Sequence, residues 1–119
     1  MLAHTTSLIH IGLNAELIDI QSDISNGLPA FVIVGLGSKA IDEAKERIRS
    51  SLKNSGLALP PRRITLNLAP ADLPKNSSGF DLGMAVGLLA ASGQIPQPSR
   101  KSAFFGELGL DGSVRATSG

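Results

Sequence analysis

The hydrophobic period changes along this chain, and that change restricts the folds open to it. Apolar residues fall at alternate positions in 7–13 (Ile9, Ile11, Leu13), in 17–24 (Ile18, Ile20, Ile24) and in 62–69 (Ile64, Leu66, Leu68). A period of two predicts strands with one buried face. Between the second and third of these, Ile41, Ala44, Ile48 and Leu52 sit at helical spacing and mark one buried stripe. The short run Ala30–Leu36 is nearly all apolar and rich in β-branched residues, which predicts a buried strand.

Local signals supply the boundaries. The first two strands are expected to join near Gly12–Glu16, and Ser25-Asn26-Gly27 reads as a turn. Ser38 is expected to cap the first helix, Gly56 to end it, and Pro60-Pro61 to prevent its continuation. Pro70–Gly79 reads as a loop. A second helix is expected from about Gly79 to Ser92, with Gly93 as its stop and Ser78-x-x-Asp81 resembling a capping box. Gly83, Gly87 and Ala91 form a ridge of small residues along it. Each helical glycine costs about 1 kcal/mol relative to alanine, so the ridge predicts close packing on a neighbour. Ser102–Leu110 and Ser113–Ala116 read as strands around Asp111-Gly112, a hairpin turn. The order β-β-β-α-β-α-β-β predicts an α+β fold, a mixed sheet with helices on one face. The last strand has barely begun at Gly119, so further residues are expected beyond it.

Composition excludes several function classes. The 119 residues are 42% hydrophobic and 18% charged, which suits one globular domain. Eleven Lys and Arg against ten Asp and Glu leave a net charge of +1, so the chain is neither a basic nucleic-acid arm nor an acidic tail. With no cysteine, a disulfide scaffold and a thiolate metal site are excluded. Only His4 and His10 could serve as imidazole ligands. Even spacing would place them on one strand face, but no third ligand accompanies them, so no metal is expected. Four Phe without Trp or Tyr make a poor base-stacking platform. The N-terminus lacks the basic start of a signal peptide, and no apolar run approaches the ~20 residues that span a bilayer. A cytoplasmic chain with no membrane partner is expected.

Three constellations could carry chemistry. Gly35-Leu-Gly37-Ser-Lys-Ala40 fits a dinucleotide fingerprint, but the acidic residue that should follow after the next strand is missing, which favours a tight strand-to-helix turn. No Gly-x-x-x-x-Gly-Lys-Ser/Thr phosphate loop occurs. Lys45, Arg49 and Lys53 recur at i, i+4, i+8, and Arg62 and Arg63 follow, a set able to meet phosphates. The competing reading is a solvated helix with local ion pairs Asp42–Lys45, Glu43–Arg47 and Glu46–Arg49. Lys75, Ser77 and Ser78 suggest a Ser–Lys nucleophile, yet nothing in the sequence desolvates Lys75, and Ser78 suits a helix cap.

Several segments together resemble a known family: Asn26-Gly-Leu-Pro-Ala-Phe-Val-Ile-Val-Gly-Leu36, Glu43-Ala-Lys-Glu-Arg-Ile-Arg-Ser-Ser-Leu52, Arg63-Ile-Thr-Leu-Asn-Leu-Ala-Pro-Ala-Asp-Leu-Pro-Lys75, Phe80-Asp-Leu82 and Gly106-Glu-Leu-Gly-Leu-Asp-Gly-Ser-Val-Arg115. In this order they resemble the N-terminal domain of the magnesium-chelatase-like ATPases of the ComM/YifB type, the bacterial competence proteins. The family usually carries proline where this chain has Gly37. The resemblance implies a Lon-protease-like domain with the fold of ribosomal protein S5 domain 2, spanning 1–119 and truncated at its C-terminal end. It also implies an AAA+ ATPase domain past residue 119 that uses ATP and Mg, a homo-hexameric ring, and motor activity on branched or single-stranded DNA during recombination of transforming DNA.

Lon proteases read Pro-Lys-Asp-Gly-Pro-Ser-Ala-Gly, with the serine as nucleophile at the start of a helix. The matching stretch here is Pro74-Lys-Asn-Ser-Ser-Gly-Phe-Asp-Leu-Gly83. Aligned on the helix, Asp81 takes the nucleophile's position; aligned on Pro-Lys, Gly79 does. An aspartate cannot replace a base-activated serine, so the expectation is a domain with no catalytic residue and no cofactor of its own. It would support ring assembly and contact DNA through Lys45, Arg49, Lys53, Arg62 and Arg63. The alternatives are a Lon-type serine peptidase using Ser78 and a free-standing module that binds protein or RNA.

Overall fold

A computed structural model describes residues 1–11, 13–70, 78–99 and 101–115. Strands β1 (Leu2–Ile11) and β2 (Asn14–Ser25) form an antiparallel hairpin pairing Ile11 with Asn14. Strand β3 (Ala30–Val34) leads to helix α1 (Ser38–Asn54), and β4 (Arg63–Ala69) returns. β4 lies between β2 and β3, antiparallel to the first and parallel to the second, giving the order β1-β2-β4-β3. A 3₁₀ turn (Ser78–Phe80) runs into helix α2 (Asp81–Ala91), and a small hairpin of β5 (Glu107–Leu108) and β6 (Val114–Arg115) follows. The expected α+β class, with a mixed sheet and two helices, is present.

Both helices cover one face of the sheet. Ile18, Ile20 and Ile24 of β2, Ile64, Leu66 and Leu68 of β4, and Phe31 and Ile33 of β3 point into a core shared with Ala44, Ile48 and Leu52 of α1 and Met84, Leu88 and Leu89 of α2. The alternation in β2 and β4 therefore has the phase read from the sequence. In β1 it does not. Leu13 is fully exposed in the turn, and the buried face is Ala3, Thr5 and Ser7. Small residues are needed there because α2 approaches closely. A Cβ on Gly83 would lie 2.9 Å from Ile20 Cδ1, and one on Gly87 would lie 3.1 Å from Thr5 Oγ1 and collide with Ser22 Oγ. The glycine ridge thus packs against the β1–β2 hairpin, and Thr5 Oγ1 donates to the Gly83 carbonyl at 2.8 Å. Ser7 and Ser22 Oγ, buried in the same seam, have no hydrogen-bond partner among the described residues.

Several boundaries differ from the sequence reading. Gly37, not Ser38, is the N-cap of α1, and Ser38 is already helical. α1 ends as expected: Gly56 has φ +74, and Leu57 N donates to Leu52 O at 2.9 Å while Gly56 N donates to Lys53 O at 3.3 Å. This is the left-handed stop that glycine favours. β3 ends at Val34 and is buried on one face only, because both helices lie on that face: Phe31 and Ile33 face the core while Val34 is 48% exposed. Only Glu107–Leu108 of the expected 102–110 strand is extended pairing. The preceding residues instead strap β1 to the start of α2: Phe104 N donates to Thr6 O, Gly106 N to Gly79 O, and Leu82 N to Gly106 O. Gly35, from the dinucleotide-like run, has φ +102 and sits so tightly on the Leu68 carbonyl that a Cβ would strike it. That close approach accounts for the glycine as a turn residue.

Candidate nucleic-acid interface

Helix α1 lies over β3 and β4 and directs one row of basic side chains to the sheet edge. Lys45 Nζ stands 6.0 Å from the centre of the Phe31 ring and the Arg49 guanidinium 5.9 Å from it. A cation at this distance is attracted to the negative face of an aromatic ring. The ring is thereby covered, and Phe31 is only 8% exposed. Arg49 and Arg62 line a cleft of about 260 Å³ with Pro29, Phe31, the Leu59–Pro61 segment and Ile64. Arg62 also borders a second cleft with Met1, Ile24 and Gln94.

Of the five basic residues singled out in the sequence, three therefore gather at one place: Lys45, Arg49 and Arg62. Lys53 continues the same row into the last turn of α1, where a cation suits the helix's carbonyl end. Arg63 opens β4 with the opposite orientation to Ile64, so it lies on the sheet face away from the helices. The local ion pairs expected along α1 do not form: among the described residues, Asp42–Lys45, Glu43–Arg47 and Glu46–Arg49 are all absent. Glu46 instead accepts from Ser50 Oγ. All five cations are without a carboxylate partner among the described residues.

The Lon-like position is occupied differently from a nucleophile's. Asp81 is wholly buried, and its carboxylate accepts from Arg47 Nε at 2.6 Å, Arg47 Nη2 at 3.1 Å and Leu108 N at 3.1 Å. It therefore ties α1, α2 and β5 together. Burial pushes its carboxyl above the ordinary aspartate range, against the pull of Arg47 and the Leu108 N–H, while the charge of Glu107 adds to the rise. Arg47 is held protonated by the hydrogen bonds to Asp81, outweighing its own burial. The expected capping box is absent. Phe80 is the N-cap of α2, and Ser78 Oγ donates to Glu107 Oε2 at 2.5 Å. Lys75 and Ser77 lie outside the described residues.

The sequence reading missed the Arg47–Asp81 pair and the role of Phe31. Arg47 has an acidic residue one helical turn away in Glu43, and that local spacing conceals its true partner across the fold. His4 lies beside Asp19, Nδ1 to Oδ1 3.5 Å, and no cluster of three potential metal ligands exists among the described residues. No helix among them is long and apolar enough to cross a membrane.

An α+β domain with an unpaired cationic edge and a buried aspartate at the helix start defines a class only broadly; comparison with known proteins names the family. Residues 20–119 match the family described as subunit ChlI of Mg-chelatase. The chain is 45% identical to competence protein ComM of Haemophilus influenzae over 99% of its length, and 44% identical to the uncharacterized protein YifB of Salmonella typhimurium over 99%. An uncharacterized protein of Mycobacterium bovis is 39% identical over 91%. The chain belongs to this Mg-chelatase-like family, of the ComM/YifB type. It spans 23% of the Haemophilus and Salmonella proteins and 22% of the mycobacterial one.

Proposed function

We propose that this chain is a non-catalytic, Lon-like domain with the S5 domain 2 fold, belonging to a cytoplasmic AAA+ ATPase. In this reading the whole protein works as a homo-hexameric motor on branched or single-stranded DNA during recombination of DNA taken up in transformation. The name of the Haemophilus relative, a competence protein, supports that context. ATP and Mg would be held outside this domain, because its sequence has no phosphate loop. The domain itself supports ring assembly and contributes phosphate contacts through Lys45, Arg49, Lys53, Arg62 and Arg63.

The observation that carries the DNA contact is the gathering of Lys45, Arg49 and Arg62 at one sheet edge without carboxylate partners among the described residues. Unpaired cations are free to exchange with the counterions of a phosphate backbone, which makes binding depend on salt. Phe31 is too covered to stack on bases, so the contact reads charge and not sequence. The test is the whole protein with Arg49→Glu and Arg62→Glu, titrated with single-stranded and branched DNA over a range of salt. Each lost single-strand contact lowers the slope of log K against log salt by about 0.7. An unchanged slope refutes the DNA role of this edge.

A further inference from the structure

The two edges of the sheet are treated differently. The edge of β1 is covered by the segment that follows α2: Gln97 Nε2 donates to His4 O, and Phe104 N donates to Thr6 O, both at 2.8 Å. The edge of β3 has no such cover among the described residues. Its register, Ala30 opposite Arg63 with Ala30 N donating to Arg62 O, directs the even-numbered residues' backbone groups toward β4. In a parallel pair these groups alternate sides. The N–H and C=O groups of Phe31 and Ile33 therefore point away from the sheet, and no backbone partner among the described residues meets them.

Edges of this kind are usually blunted by a charged residue, a proline or a bulge within the strand. Ala30-Phe-Val-Ile-Val34 has none of these. What accompanies it on the helix side is a group of cations without a carboxylate partner among the described residues: Lys45 and Arg49 over Phe31, and Arg62 lining the same cleft as Arg49. A strand laid along β3 would send every second side chain to that side.

We propose that β3 is a docking edge for an extended acidic peptide, which adds to the sheet as a fifth strand. Its backbone pairs with Phe31 and Ile33. Its alternate carboxylates meet Lys45 and Arg49, and one acidic side chain or terminal carboxylate enters the cleft between Arg49 and Arg62. Main-chain pairing supplies affinity and the cations select the sequence, the division of labour seen in strand addition generally. A nucleic acid can use the cations but has no backbone N–H to pair with the carbonyls of the edge, so it cannot extend the sheet. Peptide and DNA thus share Arg49 and Arg62 and exclude one another, so the peptide would regulate the DNA contact proposed above without depending on it.

The test uses the uniformly ¹⁵N-labelled chain with two synthetic seven-residue probes, one alternating valine with glutamate and one alternating valine with lysine. Amide hydrogen exchange is read residue by residue, and affinity by anisotropy of the labelled probe. The glutamate peptide is expected to slow exchange at Phe31 and Ile33 at least tenfold. Arg49→Glu with Arg62→Glu is expected to weaken its binding at least tenfold, and the lysine peptide is expected not to bind. A single-stranded oligonucleotide serves as a separate arm. If it binds while the glutamate peptide leaves Phe31 and Ile33 exchanging freely, the docking edge is refuted and the DNA reading stands. If the peptide protects both amides and the oligonucleotide does not bind, the docking edge stands, and the DNA reading is decided separately by the salt slope of the whole protein. Equal binding of the two peptides overturns the proposal.

Discussion

Replacing Arg47 with methionine tests the buried ion pair directly. Asp81 has 1% of its side chain exposed and Arg47 has 20%. The change removes two of the three hydrogen bonds to a carboxylate that has no route to water, leaving only Leu108 N. An uncompensated buried charge of this kind costs about 3–5 kcal/mol, a large share of the roughly 5–15 kcal/mol that holds a domain together. The converse change is milder. Asp81→Asn keeps an acceptor for Leu108 N, and the partly exposed Arg47 can turn to water, so its cost is about 1–2 kcal/mol. Combining Arg47→Met with Asp81→Leu removes both charges, so the double variant should be destabilised by at least about 2 kcal/mol less than the two single changes added together. The assay is denaturant unfolding of wild type, Arg47→Met, Asp81→Leu and the double, with Asp81→Asn alongside, comparing midpoints at constant slope. A loss below about 1 kcal/mol in Arg47→Met, or strict additivity in the double variant, would show that the pair does not hold the hairpin to the helices.

Asp81 also predicts a pH dependence. Its folded carboxyl titrates above the ordinary 3.8, so the native chain holds a proton more firmly than the unfolded chain. The associated stability is complete below that value and declines as pH rises through the folded one. Asp81→Asn should lack this decline when urea midpoints are compared from about pH 3 to pH 7. Gly87→Ala should destabilise by about 1–3 kcal/mol through the collision with Ser22 Oγ, despite the better helix propensity of alanine; adding Ser22→Ala should recover most of it in the same unfolding assay. Ser22→Ala alone should be neutral or stabilising, since it removes a buried hydroxyl that has no partner among the described residues. Gly56→Ala should cost about 1–2 kcal/mol, because φ +74 strains a side chain even in open space.

Signals acting within a few residues were legible in the sequence. The stripe Ile41–Leu52, the stop at Gly56, the alternation of β4 and the small ridge of α2 each follow from local spacing and local backbone geometry. The first half of β1 was not, because its buried face is Ala3, Thr5 and Ser7, which no hydropathy pattern marks as core. Those residues are small only because α2 comes to rest on them, a fact of tertiary structure. The same limit hides the candidate site. Lys45 and Arg49 are recognisable as a basic row, but whether Asp42, Glu43 and Glu46 neutralise it depends on where each side chain points in the fold. Asp81 looks like a cap because it starts a helix, whereas its partners come from α1 and from a hairpin far along the chain.

The hydroxyl-lined seam under α2 has a consequence for the newborn chain. β1 and β2 can pair as soon as Ser25 is made, but the helix that covers them is complete only at Ala91. At ~5–20 residues per second, the hairpin waits roughly 3–13 s with its inner face bare. Ile18, Ile20 and Ile24 of that face stay open to other chains during that interval. Thr5, Ser7 and Ser22 keep part of it wetted until α2 arrives. Ser7 and Ser22 give up that water when the helix docks and have no partner among the described residues in its place, so their hydroxyls favour the waiting hairpin over the finished domain.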